Sequence, residues 1–242
     1  MNGNVNDKIE IPNDGIRIPA VIRGSPGQKL LIEVHGAMSN KEDTVMTVMA
    51  KTAVEKGYRV ISFDLPQHGE RRAQDYPFTP LNMVSDLNAV YRYARTLGEE
   101  ISLFACSIGA FFSLSAYHDY DIRQALFLSP LFNMERRIRN TMEKWNIDEE
   151  GLKREKYIEL PGGEYLDWEY YAYVMDNPVN FEWKAPSFIL YGARDTVIPR
   201  EDITDFSRRY HAIVETDHDG EHYYHTPEQL EVLRKWGREV LG

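Results

Sequence analysis

Short β-rich apolar runs alternate with longer stretches of helical period along most of this chain, and that alternation constrains the fold more than any other feature. Strands joined through helices pair in parallel, which puts helices on both faces of the sheet. Strands are expected at Lys29 to His35, Arg59 to Asp64, Ile101 to Ala105, Ala125 to Leu128, Ser187 to Tyr191 and Ala212 to Thr216. One helix is signalled from Pro80: Thr79 caps it, Leu81, Val84, Leu87, Tyr91 and Ala94 form an apolar face, and Gly98 closes it. The last helix opens with Thr226-Pro227-Glu228-Gln229, a capping box with proline at the first position, and turns Leu230, Leu233 and Val240 inward. The fold class is therefore α/β.

A chain of 242 residues, 43% hydrophobic and 27% charged, has the size and composition of one soluble domain covering residues 1–242. The rhythm breaks over about residues 131–183. There Met134, Ile138, Met142 and Trp145 mark one helix, Pro161-Gly162-Gly163 a turn, and Leu166 to Met175 a second, aromatic-rich helix. An insertion between two strands at this place is expected to form a small cap over the carboxyl edge of the sheet.

Charge and composition narrow the partners. A net charge of −10 disfavours nucleic acid, and the pairs Arg71-Arg72 and Arg136-Arg137 read as solvated faces. No apolar run approaches the roughly 20 residues of a spanning helix, so no membrane partner is expected. The polar start, MNGNVNDKIEIPNDG, does not read as a signal peptide, and the default compartment is the cytoplasm. A single cysteine, Cys106, excludes an intrachain disulfide. No sequence feature specifies an oligomeric state.

The chemistry centres on Ala105-Cys106-Ser107-Ile108-Gly109. The run Ile101 to Ala105 is a buried strand and Ala110 to Leu114 begins a helix, so Ser107 stands at the tip of an abrupt strand-to-helix turn. Such a turn demands very small residues two before and two after its tip, and Ala105 and Gly109 meet that demand. With Cys106 at the tip, the flanking positions would be Phe104 and Ile108, which are too bulky. Cys106 therefore reads as a small buried apolar residue.

From about Lys29 to the C-terminus the chain resembles the α/β-hydrolase superfamily, serine hydrolases of the bacterial carboxylesterase kind. Four segments carry the resemblance: the turn at Ser107, Val34-His35-Gly36-Ala37, Asp64-Leu65-Pro66-Gln67-His68-Gly69-Glu70-Arg71, and Leu190-Tyr191-Gly192-Ala193-Arg194-Asp195. Alanine stands in place of the usual first glycine of the elbow. The resemblance implies an eight-stranded, mostly parallel sheet with a cap inserted after the sixth strand.

A serine hydroxyl needs a histidine to take its proton and a carboxylate to hold the imidazole in the useful tautomer, in the chain order Ser, acid, His. Asp195 stands where the family keeps its acid, with Asp202 in reserve. His218, His222 and His225 compete for the base. His222 is favoured because Glu221-His222-Tyr223-Tyr224-His225-Thr226-Pro227 resembles the family's histidine segment. By family position, the backbone amides of Ala37 and Ile108 would receive the developing oxyanion. His35 and His68 then read as structural, since a second base is not required.

His218-Asp219-Gly220-Glu221-His222 also fits the string of the inverted zincin metallopeptidases, but that motif works only on a helix, which Asp219-Gly220 disfavours. No metal or organic cofactor is implied. Trp145, Tyr157, Tyr165, Trp168, Tyr170, Tyr171, Tyr173, Phe181 and Trp183 give the insertion an aromatic density suited to an acyl or aryl group. The expected activity is hydrolysis of a small carboxylic ester through an acyl-Ser107 intermediate, with small-molecule ester or acyl compounds as substrates. Thioesters, small peptides and amides undergo the same chemistry. A catalytically silent binding protein on this scaffold is the reading of a different class, and the presence of all three residue types argues against it.

Overall fold

A computed structural model of the chain describes residues 6–162 and 164–242; residues 1–5 of the polar start and Gly163 of the predicted turn lie outside them. The chain divides into two compact units, one made of residues 1–132 and 182–242 and the other of residues 133–181.

The larger unit begins with two strands outside the predicted set, β1 (Asn6–Asn13) and β2 (Ile16–Arg23). They pair antiparallel across Asp14-Gly15, both at positive φ, which is the backbone of a tight two-residue hairpin turn. Next come β3 (Lys29–Val34), α1 (Thr44–Glu55), β4 (Arg59–Phe63), a single helical turn at Gly69–Arg71, α2 (Pro80–Arg95), β5 (Glu100–Cys106), α3 (Ile108–Tyr117) and β6 (Ala125–Leu128). After the smaller unit, whose own elements are α4 (Met134–Lys144), α5 (Glu149–Glu155), β7 (Tyr157–Glu159), β8 (Tyr165–Asp167) and α6 (Trp168–Asp176), the chain returns through β9 (Ser187–Gly192), α7 (Arg200–Tyr210), β10 (Ile213–Asp217) and α8 (Pro227–Val240).

Eight strands form one sheet in the order β1-β2-β4-β3-β5-β6-β9-β10. The pairings β1·β2 and β2·β4 are antiparallel and all the others are parallel. The chain runs from β3 to β4 on one side and then crosses back to β5 on the other. The carboxyl ends of β3 and β5 therefore flank the point where winding reverses, the place where open α/β sheets hold their ligands. One face of the sheet buries Leu31, Phe104, Leu126 and Leu190 with Met46 and Met49 of α1 and Leu233 and Trp236 of α8.

Both predicted caps form: Thr79 accepts from the Asn82 amide, and Thr226 and Gln229 make the reciprocal capping box. The face of α2 differs from its prediction. Leu81 is 69% exposed, and the buried stripe runs through Met83, Leu87, Val90, Tyr91 and Ala94. Asp86 also lies on that stripe, paired with the fully buried Arg71, and a charged residue at a core position disguises the true period. Arg71 thereby corrects its reading as part of a solvated pair: its guanidinium also donates to the Asp64 carbonyl at 3.0 Å and to the Gln74 side chain at 2.8 Å. Gly98 donates its amide to the last-turn carbonyl of Ala94 at 3.2 Å as α2 ends, and its bare Cα also allows close packing against the Gln28 carbonyl.

In the smaller unit, α4 buries Met134, Ile138 and Met142 as their spacing predicted, while Trp145 follows the helix and is 37% exposed. The second predicted helix begins later, at Trp168, because Leu166 belongs to the β7·β8 hairpin. Several of the aromatic residues pack within the unit itself: Tyr157 stacks on Tyr165, Trp168 on Tyr171, and the Tyr171 hydroxyl donates to Glu149. Trp183 lies in the larger unit, its indole donating to Ser187 at 2.9 Å.

Candidate active site

At the end of β5 the chain turns into α3 through Ser107, whose φ of 47° and ψ of −122° lie outside the regions ordinary side chains prefer. Such a conformation persists only where its surroundings over-determine it. Here the Ser107 amide donates to the Leu128 carbonyl at 3.2 Å and its carbonyl accepts from Leu131 at 3.0 Å. Ala105 is fully buried between Val34 and Phe127. A side chain on Gly109 would stand 2.6 Å from the His35 carbonyl oxygen and 2.8 Å from that of Val34, so α3 approaches β3 only because this position is bare. Cys106 faces the core, and burial holds its thiol pKa well up, which suppresses the thiolate.

The loop after β3 presses on the same turn, with a side chain on Gly36 coming within 3.2 Å of the Ser107 Cβ. His35 is buried beneath it. The Leu65 amide donates to His35 Nε2 at 3.1 Å, so that nitrogen accepts, and Nδ1 must carry the proton it shares with the Gly36 carbonyl at 2.7 Å. Burial pulls the His35 pKa down to about 4, which keeps the ring neutral. Asp64 then anchors the far end of the loop, accepting from the Lys41 amide at 2.9 Å and from its ammonium at 2.6 Å. Lys41 reaches Glu70 at 2.6 Å as well; burial opposes its charge, yet these two carboxylates outweigh that and raise its pKa. His68 braces the next turn through the Pro66 carbonyl and packs its ring on those of His35 and Phe78.

Asp195 follows β9, and its buried carboxylate is fixed by the amides of Val197 at 2.7 Å and Ile198 at 2.9 Å on one oxygen. The other oxygen lies 2.8 Å from His222 Nδ1, and His222 Nε2 lies 3.1 Å from Ser107 Oγ. An ionised carboxylate only accepts, so the proton sits on Nδ1 and Nε2 is left to accept from the serine hydroxyl. The acid and histidine loops are held together by backbone: Ala193 donates to Asp217 at 2.8 Å and Arg194 to Gly220 at 2.9 Å. Gly192 and Gly220 meet so closely that a side chain on Gly192 would stand 2.4 Å from the Gly220 oxygen.

Of the three histidines, His222 alone is placed on Ser107 and Asp195. His218 is exposed in the turn after β10, and the His225 ring bonds the Tyr223 carbonyl at 2.9 Å. Asp202 sits in the first turn of α7. His218 and His222 lie on a turn and loop rather than a helix, so the shared face that the metallopeptidase string requires does not form. Ile108 is the first residue of α3, and its amide has no acceptor within the helix. Sequence reasoning missed Lys41 and a contact from Tyr223 to Asp43. No local pattern signals either, because each partner lies in a distant segment.

No protein-family model and no curated protein matches the chain. Solved structures do. Est1E from Butyrivibrio proteoclasticus with ferulic acid bound is similar at a TM-score of 0.81 and 22% identity, over 96% of this chain and 97% of that one. A putative hydrolase from Agrobacterium vitis S4 is similar at a TM-score of 0.80 and 17% identity, over 100% of both chains. The alpha/beta hydrolase domain-containing protein 10 from mouse is similar at a TM-score of 0.75 and 13% identity, over 97% of this chain and 98% of that one. The chain therefore has the α/β-hydrolase fold, as its sequence resemblance implied. No helix among the described residues is long and apolar enough to cross a membrane.

Proposed function

We propose that the protein is a serine hydrolase that cleaves a small carboxylic ester through an acyl intermediate on Ser107. The observation that carries this reading is the unbroken chain of hydrogen bonds from Ser107 through His222 to Asp195 at the tip of the β5–α3 turn. Ser107 Oγ attacks the ester carbonyl carbon as His222 Nε2 takes its proton, and Asp195 holds the imidazolium that results. The carbonyl oxygen becomes an oxyanion between the amides of Ala37 and Ile108, each such donor contributing about 3 kcal/mol. Collapse breaks the bond to the alcohol oxygen, which leaves with the proton from His222. Water, deprotonated by the same nitrogen, attacks the acyl carbon, releases the acid and returns the proton to Ser107.

The Pyrococcus furiosus esterase Pf2001, similar in fold at a TM-score of 0.70 and 19% identity over 98% of this chain and 91% of that one, supports an ester as the scissile bond. The ferulic acid in Est1E makes aryl-substituted acyl groups a first choice for a substrate panel. The test is steady-state hydrolysis of acetate, butyrate and hydroxycinnamate esters beside the matching thioesters and amides, with and without a chelator. Turnover highest on esters, unchanged by the chelator and lost in both Ser107→Ala and His222→Ala, is the expected result. Full activity in His222→Ala with loss in His218→Ala overturns the assignment of the base, and chelator-sensitive turnover overturns the mechanism.

A further inference from the structure

The residue after His222 makes a contact that the mechanism above does not use. The Tyr223 hydroxyl donates to Asp43 Oδ1 at 3.0 Å and lies 3.3 Å from Oδ2, bridging 180 positions of sequence. Ser39 donates to the same carboxylate, at 2.8 Å to Oδ2. Ser39 and Asp43 belong to the loop that carries Gly36 and Ala37, and Tyr223 belongs to the loop that carries His222. From these contacts we infer that Tyr223, Asp43 and Ser39 are positioning residues, a latch that keeps the His222 imidazole and the Ala37 amide in register around Ser107. This rests on the proposed serine-hydrolase reading of the site.

Two observations argue for positioning over simple stabilisation. Asp43 occupies the N-cap position of α1, where an Asp side chain ordinarily accepts from the helix and contributes about 1 kcal/mol, yet it makes no cap bond there. Its carboxylate is directed instead to the two loops. Tyr223 is 52% exposed, so a hydrogen bond at its hydroxyl adds little to stability, and the fully buried Tyr224 beside it already fastens the loop to the core. The demand on geometry is different in scale. Misplacing a base by about 1 Å costs on the order of 100-fold in rate. Burial and the neighbouring Asp43 carboxylate both raise the Tyr223 pKa, so the phenol keeps its proton and remains a donor at neutral pH.

The test uses the full chain with Tyr223→Phe, Asp43→Ala and both together, read by ester turnover, thermal unfolding and amide hydrogen exchange. Each single variant is expected to lower kcat about 10-fold with KM within about 2-fold, intermediate between a lost solvent-exposed hydrogen bond and a fully displaced base. The double variant is expected to be no slower than the worse single one, because both remove one interaction. Asp43→Asn, which keeps an acceptor oxygen, should recover part of the loss. Exchange should quicken across the gap: in residues 36–43 when Tyr223 is changed and in 219–225 when Asp43 is changed. Additive losses, a change in KM alone, or exchange confined to the altered loop overturns the latch. If the unaltered protein turns over no ester, the reading of the site fails, while the exchange result still decides the latch.

Discussion

The turn that carries Ser107 and the loop that carries His222 arrive at one hydrogen bond by different physical routes. The turn is held by backbone and by the absence of side-chain volume: strands on both sides, helix α3 seated on two carbonyl oxygens, and Gly109 where nothing larger fits. The base of the loop shares that device through its backbone bonds to residues 193 and 194, but from Asp219 onward it is held by side chains reaching to other segments: Asp195 to His222, Gln229 to the Asp219 carbonyl at 3.2 Å, Tyr223 to Asp43. A site held by packing resists any change of volume. A site held by side-chain bonds can lose geometry while its fold survives, so the two regions should fail in different ways.

The largest effect separates chemistry from structure. Ser107→Ala should reduce ester turnover at least about 10⁴-fold with an unchanged unfolding temperature, because it removes the reacting atom and leaves the turn's backbone bonds in place. A second variant tests the packing half of the comparison. Gly109→Val should cost more than about 3 kcal/mol in chemical denaturation, since a branched side chain meets the Val34 and His35 carbonyls. A loop variant such as Tyr223→Phe should cost less than about 1 kcal/mol. Equal losses of stability in both would erase the distinction between the regions.

Strand β3, the floor of the turn, carries buried Glu33, and buried His35 follows directly after it, so pH sharpens the contrast. Burial pushes the Glu33 pKa up to about 8, against the Ser62 hydroxyl that donates to it and the charge of Arg23. The folded chain thus keeps a proton that the unfolded chain releases near 4.5; the stability it contributes is full below that pH and is lost as pH rises through about 8. For His35 the sign reverses: its neutral ring contributes stability above pH 6.5 that is lost as pH falls towards 4. Each amounts to a few kcal/mol at about 1.4 kcal/mol per pKa unit. The two losses overlap between pH 4.5 and 6.5 and offset one another there, so denaturation midpoints should be nearly flat over that range and fall on either side of it. Glu33→Gln should flatten the alkaline decline, and the His35 ring protons should show no NMR titration above about pH 5, one unit clear of a pKa of about 4. The smallest effect belongs to the exposed Arg194–Asp219 pair, where Arg194→Ala should change stability by less than about 0.5 kcal/mol.

What was legible in the sequence follows the same division. The strand from Ala125 to Leu128, the caps at Thr79 and Thr226 and the demand for small residues around Ser107 are local rules, and they appear in the fold as read. The hairpin of β1 and β2 was also local. Its Asp14-Gly15 turn and the alternation of Lys8-Ile9-Glu10-Ile11 and Ile16-Arg17-Ile18 are standard hairpin signals, but Pro12 and Pro19 inside the runs count against strands. Buried charges were not legible. Arg71, Asp86 and Lys41 look solvated in one dimension and become core residues only through partners 15 to 23 positions away. The Tyr223–Asp43 contact spans nearly the whole chain and leaves no periodic trace.

Covalent labelling tests Ser107 as the nucleophile most directly. Incubation with a fluorophosphonate followed by peptide mass spectrometry should give a single adduct, on Ser107, that is absent from Ser107→Ala and forms far more slowly in His222→Ala. No adduct on the unaltered protein, or an adduct on a different residue, would contradict it.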